Sequence, residues 1–273
     1  MKFKVSSGLK KTLIGGVALL VVGVLAFVVW ASQALGPGDS ALRALRPDER
    51  VAVHRRSGDW HVFTPNPDSR PLSGDSWSVD PLRYTRAVDR GIILYPGGRV
   101  DSRSYAPLAR RFADRGYTVV VVSAPLNIML LASDRAATIA GVYPDVEKWT
   151  LVGHSLGAAA ASRLIDRADP VDLSTYGIDS LVLLAGYPAS SWDISGKPVS
   201  VLSITAEYDR VLDRDAWERA RSLLPPDTRF HEISGGNHAG FADYGEQPGD
   251  GEARISRSEQ IDRTVELVLE FIE

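Results

Sequence analysis

The sequence predicts an α/β fold, a mostly parallel central sheet with helices on both faces, preceded by one apolar N-terminal helix. Two patterns carry that expectation. From Gly91 to the C-terminus, short apolar runs alternate with helical stretches, as strands buried on both faces do when helices cross over between them. Ahead of them, residues 13–30 (LIGGVALLVVGVLAFVVW) are almost wholly apolar. At 273 residues the chain is long enough for one large domain and short for two.

The apolar run comes first in the chain. As a helix its 18 residues would extend about 27 Å, close to the roughly 30 Å of a hydrocarbon core. Lys2, Lys4, Lys10 and Lys11 precede it, and residues 1–34 contain no Asp or Glu. The positive-inside rule then gives a signal anchor: residues 1–11 cytoplasmic, residues 12–34 a transmembrane helix, and the body on the outer side of the cell membrane. Cleavage near Ser32-Gln33-Ala34 and secretion is the alternative, although the run exceeds the roughly 7–15 residues of a secretory core.

Residues 35–50 (LGPGDSALRALRPDER) read as a linker with a short helical stretch, and residues 51–273 as the main domain. Runs at 51–55 and 60–64, separated by Ser57-Gly58-Asp59, read as a hairpin. Residues 65–89 are dense in Pro, Ser and Asp and read as a surface excursion. Strands are then expected at 92–95, 118–122, 150–152, 180–184, 199–205 and 229–233. The helices between them are expected at 105–115, 130–140, 156–168 and 216–223. A last amphipathic helix at 265–272 is announced by Ser256-Arg257-Ser258-Glu259, a capping-box pattern. Only about 14 residues separate the strands at 180–184 and 199–205, too few for a large cap.

Composition narrows the chemistry. The chain has no cysteine, which excludes disulfides, a thiol nucleophile and Cys-based metal sites. Beyond residue 34 there are 27 basic and 34 acidic side chains, a formal −7. Phosphate backbones need clustered Lys and Arg, so nucleic acid is not an expected partner. No cofactor or metal is expected either; the acidic tail at 242–252 lacks EF-hand ligand spacing.

One motif stands out. Residues 149–152 (WTLV) lead into Gly153-His154-Ser155-Leu156-Gly157, and four alanines follow. Ser155 would sit on a tight strand-to-helix turn, where side chains two residues either side would collide with backbone. The helix N-terminus there favours negative charge. His154 lies inside the turn and is expected to contribute backbone alone. A serine hydroxyl needs a base. His238, in the Gly-rich loop Ser234-Gly235-Gly236-Asn237-His238, follows the last strand and is the stronger candidate; His231 within that strand is the weaker one. An orienting acid should end the preceding strand, which points to Asp209, with Glu207, Asp213 and Asp193 as rivals. Oxyanion donors are expected from the N–H of Leu156 and from the loop Pro96-Gly97-Gly98-Arg99, with Gly98 preferred. Residues 125–131 (PLNIMLL) are either an apolar acyl wall or the start of a core helix.

These residues together resemble the α/β-hydrolase superfamily, and most closely its fold-5 family, related to dienelactone hydrolases. The likeness covers about residues 90–272. It rests on Tyr95-Pro96-Gly97-Gly98-Arg99-Val100-Asp101, Tyr105-Ala106-Pro107-Leu108-Ala109, Arg115-Gly116-Tyr117, the Ser155 pentapeptide and Gly235-Gly236-Asn237-His238. It implies an α/β-hydrolase fold, a Ser155–Asp209–His238 triad and hydrolysis of an ester-like bond in a small acyl substrate. True dienelactone hydrolases use a cysteine where this chain has Ser155, so a lactone substrate is not implied. Turnover of amide, thioester or peptide bonds, or a binding module without turnover, are the competing readings.

Overall fold

The computed structural model describes residues 7–56, 60–66 and 89–273. For residues 7–15, 18, 31 and 32 only the helical backbone is described. The first six residues of the expected cytoplasmic terminus, the 57–59 hairpin turn and residues 67–88 of the expected excursion lie outside the described residues.

The chain begins with helix α1 (Ser7–Ser32) and a short helix α2 (Asp39–Ala44). Strands β1 (Val51–Arg56) and β2 (Trp60–Pro65) form the expected antiparallel hairpin. Then come β3 (Arg90–Tyr95), α3 (Ala106–Ala113), β4 (Thr118–Val122), α4 (Arg135–Val142), β5 (Lys148–His154) and α5 (Leu156–Arg167). The chain ends with α6 (Pro170–Tyr176), β6 (Ile178–Leu184), β7 (Ser200–Ala206), α7 (Arg214–Ala220), β8 (Arg229–Ile233) and α8 (Arg257–Ile272). Among the described residues the strands form one eight-stranded sheet in the order β1-β2-β4-β3-β5-β6-β7-β8. Only the pairs β1–β2 and β2–β4 are antiparallel; every pair from β4 to β8 is parallel.

Strand alternation divides the core between two faces, because successive side chains of a strand point to opposite sides. Ile92, Leu94, Val119, Val121 and Val152 pack with Leu108 and Phe112 of α3 and with Ile261, Val265 and Val268 of α8. Ile93, Tyr95, Val120, Val122 and Leu151 pack with Ile139 of α4 and with Ala158, Ala161 and Ile165 of α5. From β3 the chain moves to one side for β4 and returns to the other side for β5. The strand order therefore reverses between β3 and β5, and their C-terminal ends open the crevice where ligands of open α/β sheets bind.

Three helices differ from expectation, and one of them, α6, has no counterpart in it. α8 starts at Arg257 rather than 265, with Ser256 as its cap: the Glu259 N–H donates to Ser256 Oγ at 3.1 Å. Its first turns bury Gln260 and Thr264, polar residues that interrupt the apolar period used to place the helix. α4 is shorter than expected, because residues Met129–Ala132 form a separate 3-10 turn ahead of it.

The N-terminal region departs from expectation in its linker, and its expected transmembrane helix finds no support among the described residues. α1 is helical over the apolar run, and its described side chains from Val17 to Trp30, including Leu19, Leu20, Leu25 and Phe27, are exposed. Among the described residues, however, no helix is long and apolar enough to cross a membrane, so the expected transmembrane helix over 12–34 is not supported by them. Residues 35–50, expected as a linker, are packed onto the body. The Leu35 N–H donates to the Arg99 carbonyl at 2.7 Å and the Asp101 N–H donates to the Leu35 carbonyl at 2.9 Å. Further along, the Gly38 N–H donates to the Asp243 carbonyl at 2.8 Å, and the buried Asp243 carboxylate accepts from Ser40 Oγ at 2.5 Å, Ala41 N–H at 2.9 Å and Arg257 Nη1 at 3.0 Å. α2 buries Ala41 and Ala44, and Arg110 closes the strap by donating to the Ala44 carbonyl at 3.0 Å.

Burial alone would raise the Asp243 pKa, but the Ser40 hydroxyl, the Ala41 N–H and the Arg257 charge outweigh it and hold the carboxyl below its ordinary value of 3.8. A lowered carboxylate pKa contributes stability that is present above the ordinary value and is lost as pH falls through the folded one. Asp243→Asn is therefore expected to lower the midpoint of thermal unfolding at pH 7, by about 1–3 kcal/mol in stability, and to narrow its gap to wild type below about pH 3.8. Calorimetry of both proteins across pH 3–7 checks this.

Candidate active site

The crevice between β3 and β5 is where the sequence-predicted groups meet. Ser155 follows the last residue of β5 and precedes α5. Its backbone stands at φ 52° and ψ −118°, a region that costs about 1–3 kcal/mol for a residue with a side chain. The turn is held because α5 leaves it in near contact with the end of β3. A Cβ on Gly157 would lie 2.2 Å from the Tyr95 carbonyl oxygen, and one on Gly153 would lie 2.5 Å from the Gly157 carbonyl oxygen. Only hydrogen fits at either place. The Ser155 N–H donates to the Leu184 carbonyl at 2.9 Å, which ties the turn to β6 as well. The serine side remains partly exposed.

Asp209 sits just past β7 and His238 just past β8, and the two are brought together. His238 Nδ1 and Asp209 Oδ2 are 2.8 Å apart, with the side chains 2% and 0% exposed. The other carboxylate oxygen accepts the N–H groups of Val211 at 2.9 Å and Leu212 at 2.8 Å. With its lone pairs so occupied, the carboxylate is an acceptor, which makes Nδ1 the protonated nitrogen of His238 and leaves Nε2 with a lone pair. A Ser155–His238 hydrogen bond is not formed among the described residues. Such bonds are commonly long before substrate binds and shorten in the complex.

The rival acids are engaged elsewhere. Glu207 accepts the Gly235 N–H at 2.9 Å, Asp213 caps α7 through the Ala216 N–H at 2.9 Å, and Asp193 accepts the Ser195 N–H at 2.9 Å. His231 lies on β8 with its side chain exposed. The base loop has braces that sequence reasoning missed. Asp250 accepts the N–H groups of His238 at 3.3 Å and Ala239 at 2.9 Å. Buried Gln260 accepts the Asn237 N–H at 3.0 Å and donates to the Asn237 carbonyl at 2.8 Å. The 242–252 segment thus braces the His238 loop through Asp250.

The expected oxyanion donors are adjacent. A Cβ on Gly98 would lie 2.9 Å from Leu156 Cδ2, and neither the Gly98 nor the Leu156 N–H donates to a backbone carbonyl among the described residues. Two such amides, one at the N-terminus of α5 and one in the loop facing it, can receive a developing negative charge. The neighbouring Gly97 N–H instead donates to the Tyr105 hydroxyl at 2.8 Å. Tyr105 in turn lies 2.6 Å from His154 Nδ1, and the His154 ring packs against His238 with centroids 4.7 Å apart. Sequence spacing gives no hint of this, since 49 residues separate Tyr105 from His154. No helix covers residues 185–199 among the described residues, in keeping with the expected lack of a large cap. In the stretch 125–131, Met129 is buried while Leu131 is exposed, and two separate 3-10 turns (Pro125–Asn127 and Met129–Ala132) replace the continuous core helix, one of its two expectations.

Comparison with known proteins agrees with this architecture. Residues 91–262 match the model of the alpha/beta hydrolase family, and the chain belongs to that family. No curated protein matches the sequence. Among solved structures, a ferulic acid esterase from Streptomyces cinnamoneus superposes with a TM-score of 0.54 at 18% identity, covering 78% of this chain and 80% of its own. A protein described as a predicted CIB-like hydrolase from Thermoplasma acidophilum gives 0.52 at 16% identity, covering 81% and 99%. At such identities the likeness is one of fold.

Gly157→Ala is expected to yield little folded protein, because the added methyl group meets backbone that cannot give way. Soluble yield and circular dichroism beside wild type report this directly.

Proposed function

We propose that the protein is a serine hydrolase that cleaves an ester-like bond through an acyl-enzyme. The observation that carries this reading is the buried 2.8 Å pair of His238 and Asp209, on loops that follow β7 and β8 at the same sheet edge as the Ser155 turn. In this reading Ser155 Oγ attacks the acyl carbon while His238 Nε2 takes its proton. Asp209 holds the ring in the tautomer that leaves Nε2 basic and offsets the positive charge the ring gains. The N–H groups of Gly98 and Leu156 bind the oxyanion. His238 then protonates the leaving alcohol, and water, activated by the same imidazole, releases the acid.

A second part concerns location. We infer that α1 anchors the body to a membrane, with the lysine-bearing end cytoplasmic and the body on the outer side. This is supported by the exposure of the apolar side chains between Val17 and Trp30 and by the four lysines that precede the run. Secretion after cleavage is the alternative. If the anchor reading holds, the protein stays with membranes after alkaline carbonate washing and its body is cut by protease added to intact cells; release by the wash would remove it.

Two outcomes test the chemistry. A fluorophosphonate probe should label wild type at Ser155 and leave Ser155→Ala and His238→Ala unlabelled, whereas an unlabelled, folded wild type would overturn the enzyme reading in favour of a binding module. Asp209→Asn should lower kcat on p-nitrophenyl esters by about 10⁴-fold with the fold intact, since the imidazole loses its orienting acceptor. Amide and thioester analogues assayed alongside the esters identify the bond preferred.

A further inference from the structure

The proposed reaction uses Ser155, Asp209 and His238, yet a second histidine lies buried among them. His154 is 1% exposed, its ring meets His238 at 4.7 Å and Phe241 at 5.5 Å between centroids, and Tyr244 lies at 6.4 Å. Its Nδ1 is 2.6 Å from the Tyr105 hydroxyl, which also receives the Gly97 N–H at 2.8 Å. Both side chains and the Gly97 amide are out of contact with water.

Proton accounting fixes the direction of this chain. The Gly97 N–H can only donate, so it occupies one lone pair of the Tyr105 oxygen. The phenol keeps its proton, because burial pushes its pKa up. His154 Nδ1 is the acceptor within reach of that proton, so Nδ1 carries none and the neutral ring has its hydrogen on Nε2. That Nε2 has no hydrogen-bond partner among the described residues. Burial, with the charge of His238 second, drives the His154 pKa well below 6.5, so the ring stays neutral when His238 becomes charged.

We propose that Tyr105 and His154 are positioning residues that set the oxyanion loop and the catalytic base as one unit. Tyr105 fixes Gly97, and thereby the N–H of Gly98 beside it. His154 holds Tyr105 from one side and packs an uncharged ring against His238 on the other, tilted by 44°. Being uncharged, it adds no like charge beside the imidazolium formed when Ser155 is deprotonated. A fixed geometry at both ends follows from a single buried donor–acceptor chain, Gly97 N–H to Tyr105 O–H to His154 Nδ1.

The proposal rests on the hydrolase reading, and its test separates the two. In the full-length protein, Tyr105→Phe and His154→Phe should each lower kcat on a p-nitrophenyl ester by about ten- to a hundredfold, the scale of a slight misplacement of reacting groups, while KM changes little. Because both act through one chain, the double variant should be no slower than the slower single variant. Folded variants with wild-type kcat, or losses that multiply in the double variant, would overturn the proposal. Nitrogen-15 histidine spectra of wild type give a readout independent of turnover: His154 should carry its proton on Nε2 alone and not titrate between about pH 5 and 8, the range in which an ordinary histidine does. A proton on Nδ1 or a titrating ring would also overturn it, even if His154→Phe failed to fold. A wild type that resists the fluorophosphonate probe removes the hydrolase reading itself; a labelled wild type with unaffected variants removes only the positioning role.

Discussion

The close approach of α5 to the end of β3 is the constraint on which the rest of the site depends. Gly157 lies so near the Tyr95 carbonyl that no side chain fits between them. That contact compresses the turn after β5, and the compression is what keeps Ser155 in a backbone region it would leave if free. The same contact sets the loop after β3 against the start of α5, which makes Gly98 and Leu156 neighbours. The Ser155 turn and the paired Gly98 and Leu156 amides are thus consequences of one packing event between a helix and a strand end. His238 arrives separately, from beyond the far strands β7 and β8, and its loop has its own braces in Asp250 and Gln260.

Much of this was legible in the sequence because it is written locally. Strands β4 and β8 begin and end where continuous apolar or alternating runs do, and the Ser155 turn announces itself by spacing alone. Asp209 and His238 could be chosen because each ends a strand in the order the resemblance implies. What escaped was either polar on a buried face or distant in the chain. α8 looked shorter than it is because Gln260 and Thr264, both buried, break the apolar period. α6 was overlooked although Asp169, Pro170 and Gly177 mark its ends, since only Leu173 of its residues is buried. The link from Gly97 through Tyr105 to His154 leaves no periodic trace; it exists only once β3, β5 and the start of α3 have been brought side by side.

The segment 33–44 shows how composition can mislead. Gly, Pro and charge suggest a loose connector, but here glycines and small residues allow tight backbone contact. Leu35 pairs with Val100, two residues past Gly98, and Asp243, five residues past His238, receives Ser40, Ala41 and Arg257. The strap therefore touches the Gly98 loop at one end and, through Asp243, the segment after His238 at the other. Loops are generally the less stable parts of a fold, and these two are tied down by a stretch of chain outside the sheet.

The short interval between α1 and the strap has a geometric result of its own. α1 ends at Ser32, and Leu35 is already bonded to the body, leaving Gln33 and Ala34 as the whole connection, about 10 Å at full stretch. Arg99 tightens it, with its guanidinium over the Trp30 ring at 4.4 Å and bonded to the Gln33 carbonyl at 2.8 Å. A connection of that kind works as a bracket and not as a swivel. The end of α1 therefore has a set place against the body, on the Gly98 side of the crevice.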